Sequence, residues 1–137
     1  MKDSIQIDWT EGMSFEAKVE GYTLVLDARE EHGGSGKGPR PKPLMMVSLA
    51  GCTGMDVVSL LKKMRVEFDS LSIHVEGELT EEHPKYFTGM HIVYEFKGKN
   101  LPMDKLEKAI NLSQEKYCGV SATYRKAMNI SYEIKIL

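Results

Sequence analysis

Cys52 stands in the stretch SLAGCTGMDVVSLL, residues 48 to 61, between Gly51 and Gly54 in an otherwise apolar helical run. Each glycine inside a helix costs about 1 kcal/mol relative to alanine, so two beside one thiol imply that backbone or ligand must come close there. A second cysteine, Cys118, follows 66 positions later. Two cysteines so placed in an intracellular chain are either core thiols or a redox-active pair. Reactivity demands a thiolate, and lowering a thiol pKa from ~8.5 to ~6 raises the thiolate fraction at neutral pH from a few per cent to ~90%. Asp56 lies one helical turn beyond Cys52 on the same face, where its charge opposes ionisation. An activating cation must therefore come from another segment. Lys37, Arg40 and Lys42 are the basic residues close in sequence on the N-terminal side of the helix.

Other chemical signals are weaker. GGSGKG, residues 33 to 38, resembles a phosphate loop, but Lys37 is followed by Gly38-Pro39 where Ser or Thr should open a helix. With EEH before it and PRPKP after it, the segment reads as a mobile loop. His32, His74, His83 and His91 have no ligand spacing with cysteine or carboxylate on a helix face, so no metal is assigned. Trp9, in an alternating strand, reads as core.

The elements that must position the thiols follow from periodicity. Ile5, Ile7 and Trp9 alternate, then Phe15, Ala17 and Val19, then Tyr22, Leu24 and Leu26, which predicts a three-strand meander. Leu44 to Arg65 is apolar on nearly every face up to Val58 and ends in Lys62, Lys63 and Arg65, a helix enclosed by protein with cations at its C-terminus. Two long alternating strands, Leu71 to Leu79 and Met90 to Phe96, form a hairpin across TEEHPK. Pro102 opens a helix whose Leu106, Ala109, Ile110, Ser113 and Tyr117 share one stripe. A short helical piece, Ser121 to Ala127, leads to a last strand from Ile130 to Ile136. The order βββ-α-ββ-αα-β argues an α+β fold in one domain, residues 1–137.

Charge and composition narrow the function. Eighteen Lys+Arg against 20 Asp+Glu give a net charge of −2, without the basic excess of a nucleic-acid binder. The N-terminus has no apolar leader, and the uncharged run Pro43 to Met55 is too short to span a bilayer, so the expectation is a cytoplasmic protein with no membrane partner.

Three segments, GPRPKPLMMVSLAGCTGMDVVSLLKKMR, EEHPKYFTGMHIVYEFKG and LSQEKYCGVSATYRKA, together resemble the OsmC/Ohr family of hydroperoxide-reducing proteins, most of all its short OsmC-like branch. The resemblance runs from the first strand to the last. It implies Cys52 as peroxidatic nucleophile, Cys118 as resolving thiol, a disulfide reopened by a dithiol of lipoyl type, and no cofactor. It also implies antiparallel sheets wrapped around a long central helix in an intertwined homodimer. Family members carry a Glu ten residues before the peroxidatic cysteine and an Arg in the first hairpin. Lys42 stands at the first position here, and the hairpin DWTEGMSF has no arginine. Arg40 or Lys42 is then the expected electrostatic partner, and Met45, Met46 and Leu49 the expected site for an apolar hydroperoxide tail. The function implied is a thiol-dependent peroxidase acting on organic hydroperoxides. The rival is a non-catalytic redox-sensing or ligand-binding module that kept the fold and the thiols.

Overall fold

The computed structural model describes all residues, Met1 to Leu137, and they form two compact units, Met1–Met45 and Met46–Leu137. The first holds an antiparallel meander of β1 (Gln6–Glu11), β2 (Ser14–Val19) and β3 (Tyr22–Leu26). Direct pairing of Ile7 with Ala17, Trp9 with Phe15 and Ala17 with Leu24 puts these apolar side chains on one face. Only Ala17 of this face is buried, and Trp9, expected in a core, is 64% exposed with its ring N–H donating to the Gly12 carbonyl.

The segment after β3 is ordered, contrary to the mobile loop expected. Asp27 carboxylate oxygens accept the backbone N–H groups of Ala28, Ser35 and Lys37. These bonds, Ser35 and Lys37 foremost, hold the Asp27 carboxyl down at about 2. A Cβ at Gly34 would strike the Ala28 carbonyl and one at Gly38 that of Val25, so these glycines permit close packing on β3. The loop is a cradle of backbone donors around one aspartate.

Helix α1 (Pro41–Lys63) begins three residues before the predicted Leu44. It tolerates Pro41 and Pro43 because first-turn N–H groups have no partner within the helix. It continues through Asp56 to Lys63, and over its most apolar window, of mean hydropathy 1.7, it is long and apolar enough to cross a bilayer, more than the uncharged run Pro43 to Met55 suggests. Within the chain only the stripe Leu49, Thr53, Val57 and Leu61 is buried, at the i, i+4 spacing of one helix face. Val47 is 62% and Met55 77% exposed. The all-round burial expected of this helix is therefore incomplete within one chain.

The second unit carries β4 (Ser70–Leu79), β5 (Phe87–Lys97), α2 (Met103–Leu112), α3 (Gly119–Arg125) and β6 (Asn129–Ile136). Its sheet has the order β4-β5-β6, and central β5 supplies the buried Met90, Ile92, Tyr94 and Phe96. One pairing departs from the antiparallel sheets expected: β6 runs parallel to β5. The intervening α2 and α3 form the crossover that a parallel neighbour requires. The architecture is α+β, with two three-stranded sheets and three helices in the predicted order.

Candidate functional site

The thiol site is assembled by α1 and by the junction of α2 with α3. At that junction the helix widens into one π-turn, Ser113–Tyr117, in which the Cys118 N–H donates to the Ser113 carbonyl five residues back at 2.7 Å. The extra residue per turn buries Ser113 and Gln114 side by side and turns Tyr117, expected on the inward stripe, out to 51% exposure. Cys118 then leaves the helix in an extended conformation as the N-cap of α3, its sulfur accepting the Ser121 N–H at 3.3 Å.

The ligand atoms of Cys52, Asp56 and Cys118 all lie within 4.8 Å of one another. Both thiols are free; Cys52 is half-buried, whereas Cys118 is 2% exposed. Burial pushes the Cys118 thiol up to about 11, and the neighbouring Cys52 adds to the shift. The pair is thus asymmetric, with Cys52 half-buried and the Cys118 thiol desolvated and protonated at neutral pH.

A buried polar network fixes this cluster from behind. Ser113 Oγ donates to Asp56 Oδ2 at 2.9 Å and lies 2.8 Å from Thr53 Oγ1. Thr53 Oγ1 also meets Tyr94 Oη at 2.7 Å and accepts from Gln114 Nε2 at 3.1 Å. Ser121 Oγ and Arg125 Nη2 both donate to Gln114 Oε1, at 2.7 and 2.9 Å. Burial holds the Tyr94 phenol up at about 12, so it acts here as a neutral hydroxyl. None of Thr53, Tyr94, Ser113 and Gln114 is among the site residues expected from sequence, where Ser113 stands only on a helical stripe. The π-turn that aligns two of them leaves no mark in hydrophobic periodicity.

Arg40 and Lys42 belong to the first unit, where with Arg29, His32 and the apolar Ile7 and Phe15 they line a cavity of about 480 Å³. Met45 and Met46 are half-buried near the start of α1. Leu49 is fully buried and is a core residue, with no surface to offer a substrate. Gly51 faces open space, while a Cβ on Gly54 would come within 2.9 Å of Ile73 Cδ1, so only the second glycine answers to a close approach within the chain.

An α+β chain that brings a half-buried and a buried cysteine together at a helix junction is a thiol-pair protein. The sequence matches the model of the OsmC-like protein family over residues 34–133, and the chain belongs to that family. It is 31% identical to Protein YhfA of Escherichia coli K12 over 134 residues, 96% of each chain. A crystal structure of an Aquifex aeolicus VF5 protein shares 32% identity and a TM-score of 0.83, covering 100% of this chain and 98% of that one. The fold also matches the organic hydroperoxide resistance protein OhrB of Bacillus subtilis, at 17% identity, a TM-score of 0.69 and 98% coverage of both chains. The family model and the relatives above show the family, and the OhrB likeness is one of fold.

Proposed function

We propose that the protein is a cysteine-based peroxidase that reduces organic hydroperoxides at the expense of a dithiol of lipoyl type, working as one OsmC-like domain in a cytoplasmic homodimer. The observation that carries this reading is the half-buried Cys52 with its sulfur within 4.8 Å of the enclosed Cys118 sulfur. The Cys52 thiolate attacks the outer oxygen of the hydroperoxide, the O–O bond breaks, and the alkoxide leaves as an alcohol after taking a proton. Cys52 becomes a sulfenic acid, and Cys118 attacks it with loss of its own proton and of hydroxide, which together form water. The dithiol then reduces the disulfide and restores both thiols.

Arg40 or Lys42 supplies the cation that favours the thiolate, and Met45 and Met46 the apolar contacts for the peroxide tail. Stoichiometric cumene hydroperoxide should yield a Cys52–Cys118 disulfide within one chain, found by peptide mapping under non-reducing conditions. Cys52 stopped at sulfinic acid with Cys118 free would remove Cys118 as the resolving thiol.

One observation favours the rival reading of a non-catalytic redox-sensing or ligand-binding module. Asp56 lies beside both sulfurs, where a carboxylate opposes thiolate formation. That reading predicts oxidation of the pair without repeated turnover.

A further inference from the structure

Cys52, Asp56 and Cys118 have a property that thiol oxidation does not use. All three can become anionic, their ligand atoms cluster within 4.8 Å, and the hydrogen bonds that orient them come from the neutral Ser113 hydroxyl and Ser121 N–H. No lysine or arginine pairs with Asp56 or either sulfur. Three groups that can become anionic, with no direct ion pair among them, suit a cation that displaces the thiol protons. Two thiolates and one carboxylate select a borderline-soft ion, and tetrahedral zinc takes sulfur at about 2.3 Å and carboxylate oxygen at about 2.0–2.2 Å. Side-chain adjustments of about 1 Å would bring the three atoms onto one ion of that size. The supporting hydrogen bonds are already in place: Ser113 holds Asp56 Oδ2 and leaves the other carboxylate oxygen available, and Ser121 holds the Cys118 sulfur. Asp56 also borders a small opening of about 110 Å³ with Ser59, Leu60, Lys63 and Tyr117, large enough to admit a water beside its carboxylate.

We propose that reduced Cys52, Asp56 and Cys118 form a three-ligand site for one Zn²⁺ per chain, with the fourth position open to water. Both sulfurs bind as thiolates, so two protons leave as the ion enters, and no electron is transferred. Zinc occupancy and the Cys52–Cys118 disulfide exclude each other, because the same sulfurs serve both. The inference rests on the cluster's geometry and stands whether or not the protein turns over peroxide.

The test is metal titration of the reduced, full-length chain, first with Zn²⁺ by calorimetry and then with Co²⁺ as a spectroscopic stand-in. The expected result is one ion per chain, with a thiolate-to-cobalt charge-transfer band that is lost in Cys52→Ser and in Cys118→Ala. Asp56→Asn should keep the band and weaken Zn²⁺ binding roughly tenfold or more. Because Cys118 is buried, circular dichroism must show each variant folded, and Asp56→Asn tests the site without touching either sulfur. Uptake that is absent, or equal in wild type and Cys52→Ser, overturns the proposal. Peroxide is absent from this experiment, so its failure leaves the peroxidase reading untouched, and failure of turnover leaves this one untouched.

Discussion

Thr53 Oγ1 is the hub on which Tyr94, Ser113 and Gln114 converge, all within 3.1 Å, and Thr53 itself is fully buried. Thr53→Val keeps the shape and removes the hydroxyl, leaving buried polar groups on β5 and at the helix junction without a partner. One such orphaned group costs about 1–3 kcal/mol, so a loss near 2 kcal/mol is expected in urea denaturation. A change below about 0.5 kcal/mol would mean that the network is dispensable to the fold. At this scale the thiols are legible in the sequence, because flanking glycines and the surrounding segments mark Cys52 and Cys118. Their polar support is not legible. Thr53 and Ser113 are separated by 60 residues, and nothing local requires a threonine to meet a serine.

At the scale of elements, periodicity located the six strands and three α-helices to within a few residues, since alternation and the helical stripe follow directly from which face is buried. Two elements escaped it for definite reasons. The π-turn at Ser113–Tyr117 inserts a residue into the helical period, so Tyr117 emerges where an unbroken helix would bury it. The glycine-rich segment is ordered by the Asp27 carboxylate, whose bonds to backbone N–H groups are formed by tertiary closure. That closure has a pH signature. The folded Asp27 pKa lies below its ordinary 3.8, at about 2, so its contribution is fully present above 3.8 and is lost as pH falls through about 2. Amide protection factors at Ser35 and Lys37 should therefore fall across that window, and Asp27→Asn should lower them at neutral pH. Protection that is unchanged in the variant would show that the loop is held by packing alone.

For the whole molecule, the unfilled surface is the informative part. Val47, Gly51 and Met55 form an outward stripe on α1, and the apolar face of β1–β3 leaves Ile7, Trp9 and Leu24 exposed. Exposed apolar faces of this extent mark association, and a second copy is the occupant proposed here. Light scattering at micromolar concentration should give about twice 15.5 kDa. Gly51→Ala separates the alternatives: on an open helix face it adds about 1 kcal/mol of helix stability, whereas against a packed second copy it weakens association. A folded monomer at these concentrations, stabilised by Gly51→Ala, would refute the dimer.

The central claim, a thiol pair that turns over peroxide, is tested most directly by steady-state consumption of cumene hydroperoxide with dihydrolipoamide, compared with hydrogen peroxide, for wild type and Cys52→Ser. The account predicts turnover by the wild type that favours the organic hydroperoxide, reduced to background in Cys52→Ser while that variant stays folded. Equal, near-background consumption by both proteins would contradict it.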